Sequence, residues 1–332
     1  MERVPAVAVV IIAWNRVLDL GKALESIKRQ TIPIAKIICV DNGSTDGSAK
    51  RFQEMVPGGA LVQNAKNEGF AHAANQGIQA AGEVDYLLLL NQDVVLDPDY
   101  LRLLVKALEA DGQACGGTGC LLTPDGIVDS AGHVAYRDRV VEDRDRGELP
   151  KKVGGGSEME RVFGVSAAAA LYRMSHLDAL ALPAYGLPQV FDRAFFSYLE
   201  DVDLDFRANL FGFHFLLVPG AAARHRRGST GRPFAIRWTG HKNYWLMMLK
   251  NEDWASVLPD LPEILLFLIY RFFKTLFTDP LMLFADLQVI PALPKVLEWR
   301  RFITRHHTLT PATLRGRLVA HRLLNKVAGR EN

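Results

Sequence analysis

The chain has few cysteines, almost no net charge and no long uninterrupted apolar run. Its three cysteines, Cys39, Cys115 and Cys120, form an odd set without paired metal-ligand spacing. That excludes a disulfide framework and fits reduced, buried thiols in a cytoplasmic compartment. The formal net charge is +2 over 332 residues, so nucleic acid would meet little overall attraction and is not an expected partner. The apolar region Ile264 to Leu293 is broken by Arg271, Lys274, Asp279-Pro280, Asp286 and Pro291, which leaves no run of roughly 20 residues to cross a bilayer. Val4 to Trp14 lacks a clear basic leader and a small-residue cleavage pattern; it reads as a buried strand, not a signal peptide. No internal repeat is visible.

What is present suits a large globular core, with 49% hydrophobic and 23% charged residues. Four short apolar runs, Val7 to Ala13, Lys36 to Val40, Ala60 to Gln63 and Tyr86 to Leu90, have the character of strands covered on both faces. Helical patterns separate them. Val17, Leu20, Leu24 and Ile27 recur at helix spacing, and Ala71 to Ala81 has high helix propensity. Asp97-Pro98 reads as a helix opening, continued by Leu101, Leu104, Val105 and Leu108 and ended near Gly112. This β-α-β-α order predicts an α/β doubly wound sheet.

Ligands of such sheets bind beyond the carboxyl ends of the strands. Every strand end here is polar: Trp14-Asn15-Arg16, Asp41 to Ser48, Asn64 to Asn67, and Asn91-Gln92-Asp93. Taken singly, Asp-Asn-Gly-Ser segments are ordinary turn formers. Four of them converging point to a polar site.

The segments Asp41-Asn42-Gly43-Ser44, Asn67 to Gly77 and Asn91-Gln92-Asp93 resemble the nucleotide-sugar half of the family 2 glycosyltransferases. Gly164 to Arg173 and Phe195 to Arg207 resemble the acceptor-side segments of that family, especially its rhamnosyltransferase-like branch. The likeness covers roughly residues 5 to 250 and keeps the family's motif order. It implies a GT-A type, mostly parallel sheet flanked by helices over 1–240, with a nucleotide-sugar half (1–96) and an acceptor half (97–240). A helical C-terminal extension would follow at 241–332. The implied activity is inverting transfer, with rhamnose from dTDP-rhamnose as the best donor guess. The acceptor would be a hydroxyl of a cell-surface glycan or lipid-linked molecule. A UDP-sugar donor and a catalytically silent sugar-nucleotide-binding membrane scaffold stay open as alternatives.

The chemistry explains these residue types. Glycosyl transfer expels a nucleoside diphosphate, and a divalent cation, Mg²⁺ or Mn²⁺, stabilises the charge that builds on it. By resemblance Asp93 and His225 hold that cation. The family's acidic triplet begins here with Asn91, which brings no charge. Asp41 is the candidate reader of the base or ribose, with Trp14, Arg16, Asn67, Asn75, Asn91 and Gln92 lining the same pocket. Asp201 is the candidate general base that takes the acceptor hydroxyl's proton, with Glu200 and Ala168 beside the acceptor. Ser197 to Phe211 reads as a helix, on which an Asp203–Arg207 pair leaves Asp201 free to face a cleft. Downstream of a strand ending at Pro219, Arg226, Arg227, Ser229 and Thr230 form a candidate phosphate loop.

Arg137 to Glu158 is charged, glycine-rich and aperiodic, and reads as a mobile surface loop. The C-terminal stretch Tyr244 to Leu324 is helix-like and leads into a basic tail. It suits peripheral contact with the inner, anionic face of a membrane. An intramolecular bundle or a homo-oligomer interface fits the same pattern.

Overall fold

The computed structural model describes residues 3–150, 159–183, 189–227, 234–252 and 254–320. The first half alternates strand and helix: β1 (Val7–Ala13), α1 (Val17–Lys28), β2 (Lys36–Asp41), α2 (Ser48–Met55), β3 (Ala60–Gln63), α3 (Phe70–Ala81) and β4 (Tyr86–Asn91). After it come β5 (Val94–Leu96), α4 (Tyr100–Ala110), β6 (Ala114–Leu122), β7 (Val128–Ser130), and the two-stranded β8 (His133–Ala135) and β9 (Val141–Asp143). The acceptor side adds β10 (Glu160–Val162), β11 (Ala169–Arg173), α5 (Met174–Leu180), α6 (Glu200–Leu210) and β12 (His214–His225). Six helices follow: α7 (Phe234–Asn251), α8 (Trp254–Val257), α9 (Leu261–Thr278), α10 (Met282–Leu287), α11 (Leu293–His306) and α12 (Pro311–Gly316).

The main sheet runs β10-β12-β6-β11-β4-β1-β2-β3. Strands β3, β2, β1, β4, β6 and β12 share one direction, and β11 runs against them between β4 and β6. Alternation along β1 shows how the sheet is covered on both faces. Ala8, Val10 and Ile12 face one core with α3 and α6, while Val7, Val9, Ile11 and Ala13 face another with α1 and α4. Helix α3 lies so close that a Cβ on Gly77 would sit 2.2 Å from Val10.

The reversed strand explains where a site can form. Because β11 is antiparallel to β4, its entry, Ala167-Ala168, meets the exit of β4, and the Asn91 amide donates to the Ala168 carbonyl at 2.8 Å. Acceptor-side chain thereby reaches the carboxyl ends of the parallel strands.

Four expectations need correction. The helix expected to open at Asp97-Pro98 is α4 and begins at Tyr100; the Asp97 backbone amide donates to the Ala222 carbonyl, and Asp99 pairs with Thr31 and Arg102. Helix α2 escaped the sequence reading because its eight residues carry one buried large apolar anchor, Phe52. Strand β12 does not end at Pro219. It absorbs Pro219-Gly220 as an irregularity between Leu217 and Ala222 and continues to His225. Finally, the stretch Arg137 to Glu158 is no mobile loop in its first part, where Arg139 is 1% exposed and paired with Glu252 at 2.6 Å and Asp260 at 2.9 Å, while residues 151–158 lie outside the described residues.

Those pairs also attach the C-terminal helices. Lys250 on α7 lies 2.7 Å from Asp192 and 2.8 Å from Asp203 of α6, all three nearly inaccessible. Removing one partner of such a pair strands a buried charge and costs about 3–5 kcal/mol. Among the described residues no helix is long and apolar enough to cross a membrane.

Candidate active site

The sheet brings the predicted strand ends together. Gln92 ties β1 to the β4–β5 turn, accepting from the Trp14 amide at 3.0 Å and donating to the Trp14 carbonyl at 2.8 Å. Asn42, not singled out from the sequence, is the hub of the next layer. Its amide donates to Asn67 and the Gly69 carbonyl, and its oxygen accepts from Asn64 and the Glu68 amide. Asp41 is buried and accepts from the Ser44 amide at 3.2 Å. Trp14 is half exposed above this floor.

Two nucleotide-pocket candidates are otherwise engaged. Both ends of the Asn75 amide are bound to the Phe191 backbone, at 2.6 and 3.0 Å, so Asn75 clamps α3 to the acceptor side. Gln92 is similarly occupied by Trp14. Asn67 holds the Gly69 amide at 2.9 Å and so shapes the turn into α3.

Strand β12 supplies the decisive neighbour of Asp93. Its last residues pair with β5 in a register that sets His225 opposite Val94, and the Arg226 amide donates to the Asp93 carbonyl at 2.9 Å. His225 Nε2 consequently lies 3.5 Å from Asp93 Oδ1, while Arg16 holds Asp93 Oδ2 at 2.8 Å. The other imidazole nitrogen, Nδ1, lies 2.8 Å from Asp129. A carboxylate behind Nδ1 fixes the ring and turns Nε2 toward the site. Burial pulls the His225 pKa down, but Asp129 and Asp93 outweigh it and the net shift is upward. Asp129 came from no sequence signal: it sits in a short strand, and only the β6–β7 pairing carries it to this place.

The donor set fits a divalent cation shared with a diphosphate. Among the described residues no group of three or more metal-ligating side chains forms. One carboxylate and one imidazole would leave the remaining positions to phosphate oxygens and water, as Mg²⁺ and Mn²⁺ commonly require. The basic segment is more constrained than expected. Arg227 is bound to Asp129 at 2.7 Å and Asp143 at 2.7 Å, so it braces the histidine's carboxylate rather than standing free for phosphate. Arg226 is more open, 3.2 Å from Asp19. Ser229 and Thr230 lie outside the described residues.

Helix α6 is buried from Glu200 to Leu210 with one exception, Asp201. The helix expected from Ser197 to Phe211 begins only at Glu200, because Tyr198 and Leu199 take up left-handed backbone before it, and its acidic residues do not form a solvated face. Asp203 and Arg207 pair at 3.6 Å in the interior. Asp205 meets His133 at 2.7 Å, packed so tightly that a Cβ on Gly164 would lie 1.9 Å from its carboxylate. Burial pushes Asp205 up to about 7 against the pull of His133. His133, opposed by burial but favoured by Asp205, Asp201 and Asp143, rises to about 9. Glu200 is buried, and burial next to Asp201 raises it well above the usual carboxylate range. It does not lie open to an acceptor. Asp201 itself accepts from the Ala167 amide at 3.2 Å, one residue from the Ala168 carbonyl that binds Asn91. Two hydrogen-bond steps thus join Asp201 to the strand end bearing Asp93.

The backbone leading into Asp201 is strained. Phe196, Tyr198 and Leu199 have φ of 61°, 72° and 66°, a region that costs non-glycine residues about 1–3 kcal/mol each. Asn243 on α7 holds this segment, donating to the carbonyls of Phe195, Ser197 and Tyr198 at 2.9, 3.0 and 2.6 Å. Such an over-determined turn aims one side chain. Sequence reasoning missed Asn243, since nothing around it on α7 distinguishes it from a surface amide.

Residues 8–180 match the family model described as glycosyl transferase family 2. The chain belongs to that family. A relative from Mycobacterium tuberculosis, N-acetylglucosaminyl-diphospho-decaprenol L-rhamnosyltransferase, is 26% identical over 278 residues, covering 74% of this chain and 85% of the relative. The putative glycosyltransferase EpsH of Bacillus subtilis is 26% identical over 201 residues, 58% of this chain and 55% of that protein. Two solved glycosyltransferases share the fold at 16% identity. GalNAc-T7 with UDP, GalNAc and Mn²⁺ has a TM-score of 0.57, matching 73% of this chain and 48% of its own. The mannosyltransferase PcManGT from Pyrobaculum calidifontis, with GDP-Man and Mn²⁺, has a TM-score of 0.54 and matches 99% of this chain and 81% of its own. The sheet of this glycosyltransferase is therefore of the GT-A type, with its C-terminal helices added outside it.

Proposed function

We propose that this glycosyltransferase transfers rhamnose from dTDP-rhamnose to a hydroxyl of a lipid-linked glycan, with inversion. The observation that carries the reading is the placement of Asp201, the one residue of α6 not buried, beside the strand end that bears the Asp93–His225 pair. The mycobacterial relative, named for rhamnosyl transfer to a diphospho-decaprenol acceptor, supports the sugar and the acceptor class.

In this reading the acceptor hydroxyl oxygen attacks the anomeric carbon as the bond from that carbon to the diphosphate oxygen breaks. Asp201 takes the hydroxyl proton, and the nucleoside diphosphate leaves with its electron pair. One carboxylate suffices, because the leaving diphosphate needs no proton. Asp93 and His225 would hold a divalent cation, which supplies neutralisation of the departing charge. The two structural neighbours, both solved with Mn²⁺, support that assignment. Trp14 and Asp41 face the nucleotide, Arg16 and Arg226 the phosphates, and Asn91 and Ala168 line the passage between donor and acceptor. We assign the chain through β12 to the transferase proper and the helices from α7 onward to the extension, since the expected boundary at 240 falls inside α7 (Phe234–Asn251). The three free, buried cysteines fit a cytoplasmic location.

Calorimetry with UDP-, dTDP- and GDP-sugars, with and without Mn²⁺ or Mg²⁺, tests the donor assignment. Cation-dependent binding of dTDP-rhamnose in preference to the others is expected. Preference for a UDP-sugar would replace the sugar while keeping the mechanism, and no binding of any donor would overturn the transferase reading.

A further inference from the structure

The C-terminal helices do not turn all their apolar side chains inward. On α9, Leu265, Ile269, Phe273 and Phe277 are exposed, Phe277 by 80%, and Phe284 and Leu287 on α10 are exposed by 62% and 57%. The four α9 residues recur every fourth position and lie along one side of the helix, away from Ile264 and Thr275, which are buried. Scattered single apolar residues are normal on a surface, but six large apolar side chains exposed on two consecutive helices mark a contact surface.

The charge on α11, which follows α10 in the chain, points to the partner. Arg300, Arg301 and Arg305 of α11 line an open groove with Trp254 and Leu297. The one carboxylate of α11, Glu298, is paired with Lys295 at 2.9 Å. Trp254 is 71% exposed and stands shortly before α9 in the chain. Exposed apolar side chains, an exposed tryptophan and arginines without a carboxylate partner among the described residues match the acyl boundary, interface and phosphate layer of an anionic bilayer in turn. A two-fold contact through this face would bring the arginines of both copies into one interface, and like charges gathered there are unfavourable.

We propose that α8, α9, α10 and α11 form a docking surface for an anionic phospholipid bilayer, with α9 and α10 lying in the plane of the interface. Its use depends on the lipid-linked acceptor proposed above. Helix α7 makes the connection: it packs against α10 and α11 on one side, and through Asn243 it holds the turn before Asp201 on the other. Docking thereby fixes the height of the base above the membrane from which the acceptor rises.

Flotation of the full chain with vesicles tests the surface without donor or acceptor. The protein is expected to float with phosphatidylcholine vesicles containing one-third phosphatidylglycerol, and not with phosphatidylcholine alone. The double variants Phe273→Ser with Phe277→Ser, and Arg301→Glu with Arg305→Glu, should each weaken partitioning by on the order of tenfold. Their circular dichroism melts should match the wild type, since all four side chains are on the surface. Wild type that stays with the soluble fraction beside the anionic vesicles overturns the proposal. So does a lipid-free dimer in sedimentation velocity that Phe273→Ser with Phe277→Ser converts to monomer, because a second copy would then be the partner. Donor binding measured on the same preparations separates the two readings: flotation without donor binding removes the proposed function and leaves the docking surface standing.

Discussion

The donor side and the base side of this site are built in opposite ways. At the ends of β1, β2 and β4 the chain leaves regular strands through turns of asparagine, aspartate and glycine, and an amide lattice centred on Asn42 keeps those turns in place. Around Asp201 the backbone is strained at Phe196, Tyr198 and Leu199, and the surrounding charges are buried. The carboxyl ends of strands present polar groups with little conformational cost, whereas aiming one carboxylate from a buried helix needs stability drawn from elsewhere. Here the C-terminal helices supply it, through Asn243 and Lys250.

That contrast can be broken most severely on the donor side. Asp93→Ala should lower kcat/KM by about a thousandfold, the scale of losing a group that stabilises developing charge, and should remove the cation dependence of donor binding in calorimetry. Asp129→Asn touches neither substrate, but it weakens the support of His225. Its expected effect is a loss of about 10–100-fold in Mn²⁺ affinity, read by titration, with the fold intact.

On the base side, Asn243→Ala releases three carbonyls from a buried amide. We expect kcat to fall about tenfold with the donor dissociation constant unchanged, and unfolding in urea to show a loss of about 1–3 kcal/mol. A fall in donor affinity instead would show that the two sides are not separable. The smallest effect on turnover is expected from His133→Gln, which keeps a hydrogen-bond donor toward Asp205. Folded His133 titrates near 9, against the ordinary 6.5, so between those values the folded state keeps a proton the unfolded state has lost. Its contribution is fully present below pH 6.5 and fades as pH rises through 9. The wild-type Tm should decline across that window, and the glutamine variant should lack this part of the decline.

How much could be read in advance follows the same division. The strands Val7–Ala13 and Ala60–Gln63 appear at their expected bounds, and β2 and β4 extend one residue beyond them, because continuous apolar runs between polar turns have few alternatives. The nearness of Asp93 to His225 was legible through resemblance, although the strand that delivers His225 was expected to stop at Pro219. Asn75, Gln92 and Arg227 have suitable chemistry for ligand contact, yet Phe191, Trp14 and the Asp129–Asp143 pair occupy them. Partners separated by a hundred residues leave no mark on local pattern. For the same reason Asp129, His133 and Asn243 were invisible: their roles come from the β6–β7 pairing, the packing of α6 and the docking of α7.

The most direct test of the central claim is turnover and donor binding measured on one preparation of Asp201→Asn. The amide keeps the size and hydrogen-bonding reach of the carboxylate but cannot take the acceptor's proton. The account predicts that turnover falls by about 10²–10⁴ while the donor dissociation constant stays at its wild-type value. Turnover within a few-fold of wild type would contradict it and place the base elsewhere.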